Sequence, residues 1–359
     1  MKETMSGIMK VQAAPGASYR TDIPIPETGS GDLLVRVCTA AICGTDQHIY
    51  HWNEWAQARI PIPMVFGHEF SGDVVKVGEN VRGFQVGDRV AAETHIPCGH
   101  CYQCRTGDQH NCQDMKIIGV HVPGGFADYA VIPQACAWKL SDQLSYRHAA
   151  MLEPMGVAVH GVYSGEISMK KVVVLGCGPI GVMAVAAAHA GGAAGVMAVD
   201  VFDNKLEMAR RMGASVTVNT RSQDLVSEVT AWTEGRGADV IVDYTGHTSL
   251  IETAFDALRK GGRFTFAGLP SKKLSLDLTN AVIYKEANMN GITGRLMYKT
   301  WYQCEAILAV GGVNLDDATG GIYDMCDYEQ AFADIASGKP GKMLLLTPYG
   351  RQREQETGK

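Results

Sequence analysis

Through roughly the first 150 residues, apolar positions come in short runs. Residues 33–38, 71–77, 89–93 and 127–132 are such runs, separated by Gly, Pro and Asp as in Val86-Gly87-Asp88-Arg89. Short β-type runs bounded by turn residues predict strands, so this region reads as β-rich. From residue 171 the rhythm changes. Strand-like runs at 172–175, 196–199, 240–243 and 263–267 alternate with helix-like runs at 179–190, 203–212, 222–232 and 249–259. Such alternation predicts a doubly wound parallel sheet covered by helices, an α/β class. Beyond it the pattern predicts helices near 299–310 and 327–337 and a strand at 342–347. The polar tail, 349–359, is expected to fray.

One run needs separate treatment, because residues 172–199 hold no Asp, Glu, Lys or Arg. Its length would span a bilayer. Its interior carries Gly176, Gly178, Pro179, Gly181, Gly191, Gly192 and Gly195, which penalise a continuous helix. The run therefore reads as strand, helix and strand. The N-terminal residues carry Lys2, Glu3 and Lys10 and no uninterrupted apolar stretch, unlike a secretory signal. A cytoplasmic, reducing location is expected, with no membrane partner. The net charge is −6, and the mild acidity argues against nucleic acid. Among 359 residues there are 41 glycines and ten cysteines, and both counts call for an explanation. Dilute cysteines in a reducing compartment point to metal ligands or reactive thiols rather than disulfides.

Gly176-Cys177-Gly178-Pro179-Ile180-Gly181 accounts for part of the glycine excess. It follows a predicted strand and opens a predicted helix, and Asp200 closes the next strand. In that context G-x-G-x-x-G is a dinucleotide fingerprint. The first glycine makes the tight turn, the second admits the pyrophosphate, and the third lets helix and strand pack closely. Free N–H groups at the helix N-terminus face the phosphates. Asp200 would accept from the adenine-ribose hydroxyls and repel a 2′-phosphate, favouring NAD over NADP. Lys205 is close enough in sequence to soften that preference.

Cys98, Cys101, Cys104 and Cys112 put four thiols within one short loop. Four thiolates close a tetrahedral shell, the pattern of a structural zinc. An iron–sulfur cluster uses the same ligands and is the alternative. His100 and His110 lie in this loop but are not needed to fill the shell. A second constellation joins Cys43, in Cys43-Gly44-Thr45-Asp46-Gln47-His48, to His68 and Glu69. One thiolate, one imidazole and one carboxylate leave a fourth position for substrate, as a catalytic zinc requires. Glu153 is a further carboxylate, open to metal ligation or to proton transfer. Cys38, Cys136, Cys177, Cys304 and Cys326 are expected to be small buried groups.

On these residues the sequence resembles the zinc-dependent medium-chain dehydrogenase/reductase superfamily. Gly67-His68-Glu69-x2-Gly72-x5-Gly78-x2-Val81 matches its zinc signature, and the cysteine lobe and glycine motif follow in the expected order. A finer likeness is to the L-threonine 3-dehydrogenase family, carried by the run from Ala41 to Trp55, by Glu93-Thr94-His95-Ile96-x-Cys98-Gly99, by Gly291-Ile292-Thr293-Gly294-Arg295 and by Thr300-Trp301-Tyr302. The resemblance implies a GroES-like catalytic domain over 1–155 and 299–359, with a Rossmann NAD-binding domain over 156–298 inserted in it. It implies two zinc ions per subunit, NAD-dependent oxidation of the threonine 3-hydroxyl to 2-amino-3-oxobutanoate, and a homotetramer. Thr45 and His48 resemble the family's proton relay, with Glu153 beside them. Ile180, Leu269, Ile292 and Thr293 are implied cofactor contacts, and His95 a substrate contact. Val157 stands where that family usually has Asn, and there the chain looks more like polyol dehydrogenases. A polyol or 2,3-butanediol dehydrogenase is therefore the nearest alternative. A non-catalytic zinc and nucleotide sensor is the alternative of another class.

Overall fold

The computed structural model describes residues 3–357. The chain divides into two compact units, Met1–Glu153 with Thr319–Lys359, and Pro154–Ala318. The expected return to the first unit was 299. Instead the helix Lys299–Val310 belongs to the second unit, where it packs on the helix Pro179–Ala190.

The first unit is built on one large sheet. Its strands run in the order Ala137–Lys139, Arg89–Ala92, Glu69–Val77, Asp32–Ala41, Lys342–Leu346 and Thr319–Asp324, and Tyr129–Pro133 also pairs with Asp32–Ala41. All pairs are antiparallel except the last, Thr319–Asp324 with Lys342–Leu346. The helix Tyr328–Ala336 makes that parallel crossover, as a parallel pair requires. The core beneath includes Ile8, Leu33, Val35, Phe66, Phe70, Phe126 and Leu345.

The second unit holds a six-stranded parallel sheet in the order Val216–Asn219, Gly195–Asp200, Lys171–Leu175, Ala238–Asp243, Leu258–Phe266, Asn288–Gly291. In chain order this is 3-2-1-4-5-6, the doubly wound arrangement whose direction reverses between Lys171–Leu175 and Ala238–Asp243. The uncharged run resolves into Lys171–Leu175, the helix Pro179–Ala190 and Gly195–Asp200. Among the described residues no helix is long and apolar enough to cross a membrane.

Several local expectations change. The helix expected from 222 begins at Leu225, because the Asp224 side chain accepts from the Ser227 N–H and caps it. The tail does not fray over its described part: Pro348–Thr357 is a helix. Tyr349 and Arg353 reach back to the buried Asp73 carboxylate at 2.6 and 3.1 Å, and Glu354 pairs with Arg147 at 3.0 Å. Of the five spare cysteines, four are buried and Cys326 is exposed. It lies in the tight turn Met325–Asp327, which carries the chain from a strand into a helix at the surface.

Candidate functional site

Cys43 follows the strand Asp32–Ala41 and caps the helix Gly44–His51. The Asp46 carboxylate accepts from the Cys43 N–H at 2.8 Å, which fixes the turn carrying the thiol. Glu69 opens the neighbouring strand Glu69–Val77, and His68 stands just before it. Gly67 just before them sits at φ +87°, and a Cβ there would meet the Phe126 ring at 2.2 Å. Only glycine lets the chain turn at that point to bring both side chains round to Cys43. The ligand atoms of Cys43, His68 and Glu69 all lie within 4.8 Å of one another.

Charges frame this trio. Asp46 Oδ1 lies 3.6 Å from His68 Nδ1, too long for a hydrogen bond, and neither buried atom has a hydrogen-bond partner among the described residues. Burial works against a charge on His68, yet the facing Cys43 and Asp46 outweigh it and hold the imidazole well above its ordinary pKa. Lys342, 3% exposed, sits 2.7 and 2.6 Å from the two Glu69 oxygens. Burial pushes the Glu69 carboxyl up to about 7, against the pull of Lys342 and with repulsion from Glu153. Glu153 is buried in the helix Leu152–Val162, and its Oε1 accepts from the Thr94 hydroxyl at 3.4 Å. A soft thiolate, an imidazole backed by a carboxylate, and a carboxylate form a donor set that suits zinc. Thr45 is half-buried and His48 exposed on the same short helix. His95 is half-buried in the strand His95–Ile96, where the buried Glu93 carboxylate accepts its backbone N–H at 2.9 Å.

Cys98, Cys101, Cys104 and Cys112 converge in one loop, unbonded to any other cysteine. Cys101 Sγ and Cys112 Sγ are 3.9 Å apart. Tetrahedral zinc with bonds of about 2.3 Å places sulfurs about 3.8 Å apart, so the loop fits the ion. Backbone N–H groups of Cys104 and Gln113 pull the Cys101 thiol down to about 6. Burial and the neighbouring thiols push Cys104 up to about 12. Thiols this close cannot all ionise without a cation among them. His110 turns toward Asn111, whereas His100 meets the Cys98 carbonyl and keeps a ring nitrogen within 4.8 Å of the Cys98 thiol and an Asp114 oxygen.

The residues expected to hold a dinucleotide gather at the carboxyl ends of the parallel strands, where ligands bind in such sheets. Gly176 follows Lys171–Leu175 at φ +90°, and Asp200 ends its neighbour. A Cβ on Gly181 would stand 1.8 Å from the Gly176 carbonyl oxygen, so helix and turn meet there without room for a side chain. Gly178 differs: a Cβ there meets no atom of the described residues within 4 Å. Packing does not demand glycine at 178, and the free space suits a ligand's phosphates. Ile180 is half-buried in the first helical turn. Asp200 Oδ2 accepts from the Cys177 N–H at 2.8 Å, and Oδ1 from the Val201 and Phe202 N–H groups at 2.7 and 3.1 Å. Gly176, Asp200, Phe202, Lys205, Thr245 and His247 help line a cavity of about 500 Å³. Leu269, Ile292 and Thr293 are outside that cavity, though each follows a strand's carboxyl end, with Leu269 93% exposed.

Three contributors escaped the sequence reading. Lys342 is a lone cation opening an apolar strand, and that oddity was the available signal. Asp46 stands three residues after Cys43, the spacing of a helix-capping acid. Asp243 holds the Thr245 hydroxyl at 2.6 Å and the Gly246 N–H at 3.0 Å, shaping the turn against Gly176.

The family model for the alcohol dehydrogenase GroES-like domain matches residues 29–142, and that for zinc-binding dehydrogenase matches 179–309. An L-threonine 3-dehydrogenase of Pyrococcus abyssi is 42% identical over 96% of this chain and 99% of its own. A short chain alcohol dehydrogenase from E. coli CFT073, solved with NADH, superposes with a TM-score of 0.87 at 29% identity, covering 96% of this chain and 100% of its own. A 2R,3R-butanediol dehydrogenase from Bacillus subtilis gives 0.86 at 28% identity, covering 95% and 99%. Matched by both family models and by relatives over nearly its full length, the chain belongs to the zinc-dependent medium-chain dehydrogenase/reductase superfamily.

Proposed function

We propose that this chain oxidises the 3-hydroxyl of L-threonine to 2-amino-3-oxobutanoate with NAD⁺ as hydride acceptor. The observation that carries the reading is the 42% identity to an L-threonine 3-dehydrogenase over almost the full length of both chains. Cys43, His68 and Glu69 would hold a catalytic zinc, and Cys98, Cys101, Cys104 and Cys112 a structural one. Bound zinc supplies Lewis-acid polarisation of the hydroxyl, and bound NAD⁺ supplies the hydride acceptor.

The chain's own residues do the rest. Asp46 backs the His68 ring with its charge at 3.6 Å, and Lys342 favours the Glu69 carboxylate against the pull of burial. Thr45 and His48 pass the hydroxyl proton outward, since the first is half-buried and the second reaches solvent. Glu153 adds a carboxylate for metal exchange or proton transfer. His95, steadied by Glu93, contacts the amino acid's polar head. Gly176, Gly178 and Gly181 admit the pyrophosphate, and Asp200 favours NAD through its charge beside the adenine ribose. Ile180, Lys205, Leu269, Ile292 and Thr293 add cofactor contacts. The family reading carries with it a homotetramer in the cytoplasm.

Val157 favours a second reading, a diol or polyol substrate, and the butanediol dehydrogenase neighbour is in keeping with it. NADH formation with L-threonine, D-sorbitol and 2,3-butanediol separates the two. Turnover of threonine well above the others supports the first reading. Turnover of the diols with none of threonine overturns it.

A further inference from the structure

His48 bears on proton movement only if its ring is held in a defined state, and Asn53 does the holding. Asn53 caps the short helix Glu54–Gln57, its side-chain oxygen accepting from the Ala56 N–H at 3.1 Å. A backbone N–H only donates, so the amide atom facing it must be the oxygen. The amide NH₂ is thereby turned to the other side, where Nδ2 lies 2.8 Å from His48 Nδ1. That group also only donates, so His48 Nδ1 must accept. An imidazole that accepts at Nδ1 is neutral and carries its proton on Nε2. The contact is braced on both sides. The Asn53 N–H donates to the His48 carbonyl at 3.3 Å, and the Trp55 ring, with Arg59 over it, lies 5.9 Å from the imidazole.

We propose that Asn53 is a positioning residue that holds His48 as the neutral Nε2–H tautomer, so that the ring meets a ligand oxygen or water as a donor through Nε2. The inference deepens, and rests on, the reading of His48 as a proton carrier. A second proton could enter only at Nδ1, where the new N–H would face the Asn53 NH₂ group.

The test uses the enzyme loaded with zinc and NAD⁺ and labelled with ¹⁵N-histidine. Long-range ¹H–¹⁵N correlations read the ring protonation, and His48→Gln identifies the signals. The expected wild-type state is Nδ1 bare and Nε2 protonated. Asn53→Asp keeps the cap, because Asp accepts from the Ala56 N–H equally well. It presents an acceptor to Nδ1, so the ring proton should move there. Asn53→Ser keeps the cap, but its short side chain does not reach Nδ1 with its hydroxyl, and both tautomers should appear. With Asn53→Asp, the pH profile of kcat should shift while the KM for L-threonine stays within about two-fold. A wild-type ring protonated at Nδ1 overturns the proposal. So do unchanged ring signals in Asn53→Asp, which is what a purely capping role predicts. Full kcat in His48→Gln with the Nε2–H ring in wild type removes the proton-carrier reading but supports the tautomer assignment.

Discussion

Replacing Lys342 by Met tests the electrostatic frame of the site. Lys342 and Glu69 are 3% and 0% exposed, and the ammonium lies within 2.7 Å of both carboxylate oxygens. Removing the cation takes away the group that favours the Glu69 carboxylate, so above about pH 7 the buried carboxyl must either hold an unpaired charge near the repelling Glu153 or take up a proton. Breaking a buried pair from one side costs about 3–5 kcal/mol. For a unit the size of Met1–Glu153 with Thr319–Lys359, 1 kcal/mol moves the melting midpoint by about 2–4 °C. The midpoint should therefore drop by about 6–20 °C in chelator-treated protein. Scanning calorimetry of metal-free wild type, Lys342→Met, Glu69→Gln and the double variant would measure it. The double variant should be more stable than Lys342→Met alone, because the orphaned charge is gone. With zinc bound the loss should shrink, since a second cation then faces Glu69. A midpoint within about 2 °C of wild type, or a double variant as unstable as the two losses summed, would refute this account of the pair.

Three further outcomes are expected. Gly181→Ala should weaken NADH binding about ten-fold or more in a fluorescence titration and cost about 1–3 kcal/mol of stability, because its methyl lands 1.8 Å from the Gly176 oxygen; wild-type affinity would contradict the packing argument. Cys104→Ser should lower bound zinc by one ion per chain in elemental analysis; an unchanged metal content would contradict a site that needs all four thiolates. Metal-free wild type should lose stability relative to Glu69→Gln as pH rises. The folded carboxyl titrates near about 7 against an ordinary 4.5, so its favourable contribution is full below about 4.5 and lost toward 7. Urea midpoints across that window would show it, and a flat difference would contradict it.

The chain's patterns alone fixed much of this molecule. The parallel-strand core stood in the apolar runs, because a sheet covered on both faces needs them. The tight turn after Lys171–Leu175 stood in its glycines, because turn and helix meet there without room for a side chain. The cysteine loop stood in its spacing, because nearby ligands need only a short chain to meet. Strands with weaker patterns, Val216–Asn219 and Asn288–Gly291, became visible only when paired at the flanks of the sheet. What the fold alone decided is contact across long separations. Lys342 meets Glu69 across 273 residues, and the C-terminal helix is tied to Asp73 across about 280. No local periodicity encodes such pairs, because they depend on which strands become neighbours in the sheet. Even Asn53 and His48, five residues apart, needed the structure, since the tautomer follows from a cap whose geometry the sequence does not state.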